Sequence, residues 1–177
     1  SMYLSREAAM STRTEPSNSG VQHFKEALNS LATRGNDLLN ALHADCRPKE
    51  FEEAVREQLG TKAKAYIKKL PSFANTYQSW YSEAKALVRQ VLPDRLEDFV
   101  RHYEKPKPRK EITFENYRIE DCLQGLRVTR GWQKEVVVDS SAAIPHLVQQ
   151  LAIVTAAKER FERALYDIRQ FVLADLF

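Results

Sequence analysis

Three long stretches of the 177-residue chain carry apolar side chains at steps that alternate between three and four residues. A mean step of 3.5 residues keeps one stripe of an α-helix facing a partner helix over many turns, whereas a β-strand needs a period of two. We call each stripe a seam, and we predict a long helix for each. The seams are Val21, Phe24, Leu28, Leu31, Gly35, Leu38 and Leu42; then Leu59, Ala63, Tyr66, Leu70, Phe73, Tyr77, Trp80, Ala84, Leu87 and Val91; and finally Ile144, Leu147, Leu151, Val154, Lys158, Phe161, Leu165, Ile168 and Val172.

The apolar stripes are wider than a two-stranded seam requires. Leu39, Val88, Val148 and Phe171 lie beside seam positions and broaden the apolar face. A helix with a broad apolar face packs against more than one neighbour. We therefore predict a mainly α fold: an elongated antiparallel helical bundle, coiled-coil-like in its packing, with a small β-hairpin insertion.

Proline, glycine and serine mark the expected helix ends. Pro48 suits the first turn of a short helix that ends at Gly60, and Thr61 is a candidate cap for the next helix. Pro71 removes a backbone donor inside the second seam, so we expect a kink there or a break that Ser72 caps again. A further short helix is expected from Pro93, and the last long helix from Ser140 or Ser141.

The chain divides into a leader and one helical domain. Residues 1–20 are rich in Ser and Thr and poor in large apolar side chains, so we expect a flexible leader, in which Ser1 and Met2 are typical of a tag-cleavage remnant. Residues 21–177 form the predicted bundle domain. Its last helix runs to Phe177 without a stop signal, and we expect the chain to be the N-terminal module of a longer protein.

An insertion at residues 104–139 interrupts the helical pattern. It begins with an extended basic linker, followed by a short predicted strand around Ile112 and Phe114 and a short helix over residues 115–124. Residues 126–139 are predicted to form a β-hairpin. Insertions on a rigid scaffold often carry function.

The basic linker is a candidate nucleic-acid-binding segment. Between residues 101 and 110 there are five Lys or Arg and one Glu, a surplus that attracts phosphate groups. A plain solvated loop has the same composition, and that alternative stays open. A helix at 94–103, the helix at 115–124 and the hairpin also follow the order of a winged helix-turn-helix. The candidate nucleic-acid-binding residues are Arg101, Lys105, Lys107, Arg109 and Lys110.

The hairpin tip is the candidate partner-binding site. Trp132 lies between Arg130 and Lys134, and exposed Trp with neighbouring Arg is typical of interaction hot spots. The alternative is an indole that folds back onto the helices.

No residue pattern predicts a catalytic, metal or cofactor site. The four histidines make no metal-ligand spacing, the five glycines form no phosphate-cradling loop, and Cys46 and Cys122 lie far apart. The two cysteines fit a reduced, cytoplasmic setting. No apolar run reaches the roughly 20 residues of a membrane helix, so we expect no membrane partner.

Arg95 and His102, separated by six residues, match the Arg and His spacing of HEPN-type ribonucleases. A His can move a proton near neutral pH and an Arg can hold a phosphate, so a metal-independent ribonuclease is an alternative function. That family usually has a polar residue directly after the Arg, and Leu96 stands there instead.

Residues 92–99 (LPDRLEDF), residues 117–126 (YRIEDCLQGL) and the last helix resemble the N-terminal helical region of uncharacterised bacterial proteins. The resemblance covers about residues 90–177. It implies that a HEPN-like domain follows this region, and that the catalytic pair of that domain lies downstream of Phe177.

The function predicted from these patterns is a non-enzymatic helical scaffold for oligomerisation or protein-partner binding, with a homodimer as one form. The alternative function is a nucleic-acid-binding or ribonuclease module.

Overall fold

The computed structural model describes residues 18–176 and confirms a mainly helical chain with one small antiparallel β-hairpin. The predicted leader lies largely outside the described residues, but its last three residues already belong to the first helix. The elements are α1 (Asn18–Cys46), α2 (Pro48–Leu59), α3 (Ala63–Lys69), α4 (Phe73–Val91), α5 (Leu96–Arg101), α6 (Ile119–Leu123), β1 (Val128–Arg130), β2 (Glu135–Val138) and α7 (Ile144–Asp175), with short 3₁₀ turns at Gly60–Lys62, Pro93–Arg95 and Ser140–Ala143.

The helices α1, α4 and α7 contact one another and enclose the core. Gly35 of α1 lies where a side chain would collide with Leu151 of α7 and would touch the Trp80 ring of α4 at 3.0 Å. The glycine therefore lets three helices approach closely at this level. The largest fully buried side chains are Trp80, Tyr77, Tyr117, Phe99, Leu28, Leu31, Leu38, Leu42, Ile119, Leu147, Ile153 and Gln150.

The seams predict burial well in α1 and α4 and only partly in α7. In α1, Leu28 to Leu42 of the seam are buried, and Val21 and Phe24 are half-buried. In α7 the seam is covered as far as Leu165, but Ile168 and Val172 are exposed. The period identifies the face of a helix that would pack, but it does not say where along the helix the neighbours end.

The break within the second seam is confirmed. Leu70 has extended backbone dihedrals, and the side chain of Ser72 accepts a hydrogen bond from the backbone N–H of Asn75 at 3.3 Å. Gly60, with φ +57°, ends α2 as expected from its freedom to adopt positive φ. Thr61, however, lies inside a 3₁₀ turn and does not cap α3.

The insertion is less regular than predicted. Ile112 and Phe114 lie outside any strand, and the helix expected over residues 115–124 shrinks to α6. The reason lies in a local turn: the Asn116 side chain bonds the backbone of Thr113 and Glu111. Such side-chain bonds give the backbone an alternative to a helix or a ladder.

The start of α7 also differs from the prediction. Asp139 accepts hydrogen bonds from the backbone and the hydroxyl of Ser141, and a 3₁₀ turn precedes the helix. Ser140 instead lies next to Cys46, with 3.3 Å between the hydroxyl oxygen and the sulfur. The predicted serine cap of the last helix is therefore wrong: the carboxylate of Asp139 caps the 3₁₀ turn, and α7 begins after Ala143 without a side-chain cap.

Among residues 18–176, no helix combines the length and the apolar character needed to cross a membrane.

Candidate interaction surfaces

The C-terminal segment of α7, taken as residues 164–176 and so including Leu176 just after the helix, holds six of the twelve exposed large apolar side chains of the described chain. Beyond Leu165 every residue of this segment is exposed, and α4 ends at Val91, which lines the same groove as Phe161. An exposed apolar patch on this scale usually marks an interaction site. Its large apolar side chains are Tyr166 (62% exposed), Ile168 (59%), Phe171 (72%), Val172 (54%), Leu173 (48%) and Leu176 (72%).

A groove opens beside this segment at the end of α4. Phe24 of α1 and Phe161 of α7 pack together there, with ring centroids 4.8 Å apart, and Val91 forms the third wall. Arg160 and Ala164 line the groove on the side that leads to the exposed segment. The groove therefore lies at the end of α4, between α1 and α7.

The hairpin tip exposes Trp132 completely. The strands pair Thr129 with Val136 and Arg130 with Glu135, and the backbone N–H of Lys134 donates to the carbonyl of Gly131 across the tip. Val138 of β2 is buried in the core, and the half-buried Val128 of β1 packs against it. Arg130, Trp132 and Lys134 are thus all exposed on one short tip, which keeps them available as the predicted partner-binding residues.

The five basic residues of the predicted nucleic-acid-binding segment differ in exposure and in their partners. Arg101 is paired with Asp98 at 2.9 Å, and Lys105 is half-buried with its backbone N–H bonded to Glu120. Lys107 and Lys110 are exposed. The fifth residue, Arg109, turns away from solvent.

Arg109 forms a two-pronged ion pair with the fully buried carboxylate of Asp121. Its guanidinium nitrogens lie 2.6 and 2.8 Å from the two carboxylate oxygens, and its side chain is only 11% exposed. Asp121 also accepts the backbone N–H of Arg118, which starts α6. Burial by itself raises the pKa of Asp121, but the hydrogen bonds from Arg109 and Arg118 outweigh it and hold the pKa below its ordinary value. Arg109 therefore anchors the insertion and is not available to a phosphate.

His102, at the end of α5, lies against His146 in the first turn of α7. Their Nδ1 atoms are 2.9 Å apart, so one ring donates and the other accepts, and at least one ring is neutral. Burial, His146 and the cations of Arg101 and Arg118 lower the pKa of His102 to about 4. Burial and Arg118 also lower the pKa of His146, against a bond to the main chain of Tyr117.

Arg95 and His102, the two residues of the ribonuclease alternative, have different hydrogen-bond partners. Arg95 bonds Asp98 at 2.9 Å, whereas His102 is engaged with His146. No cluster of three or more His, Cys, Asp or Glu suited to a metal ion occurs within residues 18–176.

Acidification from pH 6.5 toward 4 should reduce stability through this pair. Unfolded imidazoles bind protons near pH 6.5, but folded His102 resists protonation until about pH 4, so the unfolded state gains protons first. We expect at most about 1 kcal/mol lost per pH unit, because the half-buried rings are partly solvated. Denaturant titrations at a series of pH values measure this slope.

His102→Asn should flatten the slope between pH 6.5 and 4, and His23→Asn, at an exposed position, should leave it unchanged. The buried carboxylate of Asp121 and the capping carboxylate of Asp139 titrate lower, since their pKa values lie below the ordinary 3.8. An unchanged slope in His102→Asn would show that other groups carry the acid sensitivity.

The two cysteines are half-buried free thiols. Burial raises the pKa of Cys122 to about 12, and burial also raises the pKa of Cys46 although the hydrogen bond with Ser140 opposes it. Both thiols are therefore protonated at neutral pH and poorly nucleophilic.

Several important residues were not identified from the sequence. Gln150 is fully buried on α7 and joins the hydroxyl of Tyr77 (2.6 Å) to the carbonyl of Phe99 (3.0 Å). Its polar side chain beside the apolar seam was a detectable signal, since a polar residue at a buried helix position needs a partner. The pairings of Arg109 with Asp121 and of His102 with His146 had no local signal.

No protein-family model matches the chain, and searches of curated proteins and of solved structures gave no significant match.

Proposed function

We propose that the protein is a non-enzymatic helical scaffold that oligomerises through the C-terminal segment of α7. In this proposal α1, α4 and α7 form an elongated antiparallel bundle that presents the last turns of α7 as a docking helix. The hairpin tip offers a second contact surface.

One observation supports this function above the others: six large apolar side chains lie within residues 166–176, at the end of α7 and just after it, and each is about half exposed or more. An isolated exposed Leu or Phe is ordinary on a protein surface, but a set of them along one helix is not. The seam period continues through Ile168 and Val172, so the helix keeps a face suited to another helix where its own chain supplies none.

The nucleic-acid alternative has weaker support. It requires a continuous basic surface, and the two cations with the best-defined geometry in the linker region, Arg101 and Arg109, are paired with Asp98 and Asp121.

Sedimentation equilibrium should show an oligomer whose population rises with protein concentration, and Phe171→Asp should convert it to the monomer. The monomer should keep its thermal stability, because Phe171 is 72% exposed within residues 18–176. A charge placed in an apolar interface costs several-fold to many-fold in affinity because it has no partner there.

Trp132→Ala tests the second contact surface separately, since Trp132 is aromatic, fully exposed and outside α7. It should leave both the oligomer and the stability unchanged. Loss of the oligomer in Trp132→Ala alone would assign self-association to the hairpin. A wild-type protein that stays monomeric at every concentration would contradict oligomerisation.

A further inference from the structure

The place where α4 ends determines which face of α7 stays exposed. Ala164 lines both the groove next to Phe24, Val91 and Phe161 and the neighbouring groove next to Leu92. At 100° per residue, Arg160, Asp167, Ile168, Phe171 and Asp175 fall within about 60° of Ala164 on the helix surface. The open face therefore has apolar positions at Ala164, Ile168 and Phe171 and charged positions at Arg160, Asp167 and Asp175. It continues the groove at the end of α4.

This face carries a positive charge at one end and a negative charge at the other. Arg160 lines the groove at the start of the face, whereas Asp175 takes the seam position that follows Val172. Within residues 18–176, neither of the two has an ion-pair partner. A carboxylate at an otherwise apolar position favours a partner that brings a cation to it.

We propose that the occupant of this face is the same face of a second copy, in antiparallel orientation with Ile168 at the two-fold axis. This inference rests on the proposed oligomerisation and specifies its partner and geometry. A two-fold contact is isologous, so each residue pairing occurs twice. About this axis, Ala164 faces the region of Phe171 and Val172 of the other copy, which places a small side chain against large ones.

The charges select this orientation over the parallel one. With Ile168 at the axis, Asp175 of each copy approaches Arg160 of the other, on the same flank of the helix pair. A parallel pair would place Asp175 beside its own counterpart and Arg160 beside its own counterpart. Opposite charges in reach favour the first arrangement, and like charges disfavour the second.

Charge reversal tests the pairing. Arg160→Asp and Asp175→Arg should each weaken dimerisation about tenfold, because symmetry places each change in the interface twice. The double variant Arg160→Asp with Asp175→Arg should recover most of the wild-type affinity in sedimentation equilibrium. In a parallel dimer each residue faces its own counterpart, so all three variants would still oppose like charges; neither single change would weaken the dimer and the double variant would have nothing to recover.

Cysteine trapping tests the orientation independently. Ala164→Cys and Val172→Cys, mixed as two separate variants, should give a cross-linked dimer with a short thiol-reactive linker, while either variant alone should give little. Gln170→Cys is the matched control, since position 170 points about 160° away from Ile168. The wild-type protein measures any cross-linking through Cys46 and Cys122.

The outcomes separate the inference from the proposed function. Cross-linking within each single variant would show a parallel dimer, which overturns the antiparallel geometry and leaves oligomerisation through α7 intact. An oligomer that Phe171→Asp dissociates but that no cysteine pair traps would also overturn the geometry. A protein that stays monomeric, with or without these changes, would refute both; residues 1–17 of the same chain would then be the occupant to examine.

Discussion

Arg109→Met should lower the free energy of unfolding by about 3–5 kcal/mol, the usual cost of leaving a buried charge without its partner. The carboxylate of Asp121 is completely buried and receives two hydrogen bonds from the Arg109 guanidinium. Methionine keeps much of the side-chain volume but supplies no charge and no donor. Only the backbone N–H of Arg118 would then remain on the carboxylate.

Lys110→Met is the matched control, because Lys110 is the adjacent cation and is exposed. It should change stability by less than about 0.5 kcal/mol, as is usual for surface positions. Urea denaturation of the two variants separates loss of the specific pair from loss of one positive charge. Equal, small effects in both variants would show that the ion pair is dispensable.

The pH dependence of Arg109→Met provides a second measurement. Without Arg109, burial dominates and should raise the pKa of Asp121 above its unfolded value. A raised folded pKa stabilises the protein at low pH, and this stabilisation is lost as pH rises through that pKa. The loss of stability of Arg109→Met relative to Lys110→Met should therefore be smaller in mild acid than at neutral pH. Adding Asp121→Asn to Arg109→Met should recover part of that stability at neutral pH.

Gln150→Met should cost about 2–6 kcal/mol, since it leaves two buried polar groups without a partner at about 1–3 kcal/mol each. Gln150 is fully buried, accepts from the Tyr77 hydroxyl and donates to the Phe99 carbonyl. Phe99 lies near the end of α5, where carbonyls lack an intrahelical donor. Gln150 thus provides the hydrogen-bond partner of a carbonyl of α5 and of a hydroxyl of α4.

Gln149→Met, at the exposed neighbouring position, is the control and should have little effect on the thermal midpoint. Tyr77→Phe removes the hydroxyl that Gln150 binds. The double variant Tyr77→Phe with Gln150→Met should therefore be less destabilised than the sum of the single variants. Strict additivity would show that the two side chains do not interact in solution.

The contacts of Arg109 and Gln150 are not predicted by sequence patterns, whereas the long helices and several helix ends are. The apolar period predicts the three long helices and the buried face of α1 and α4, because a helix side chain is buried by its angular position. Local signals at Pro48, Gly60 and Ser72 predict helix ends, since capping involves residues within one turn. The hairpin is also predicted, because its strands are adjacent in sequence.

The interaction surfaces depended on structure that sequence alone does not contain. Arg109, Lys107 and Lys110 are all cations of one basic linker, and the sequence does not distinguish them. Only the fold places the buried carboxylate of Asp121 next to Arg109. His102 and His146 are 44 residues apart, and their contact requires α5 to meet the start of α7. Likewise, the seam of α7 continues unchanged past Leu165, so the sequence does not indicate that burial ends there.

Sequence by itself determined the long helices and which face of each is apolar, because both follow from interactions within a few turns. Only the tertiary structure decided where α4 ends along α7, which cation is buried, and which apolar residues remain exposed. Those outcomes depend on the lengths and packing of elements far apart in the chain. The same period that buries Leu147 and Val154 therefore leaves Ile168 and Val172 free to contact another molecule.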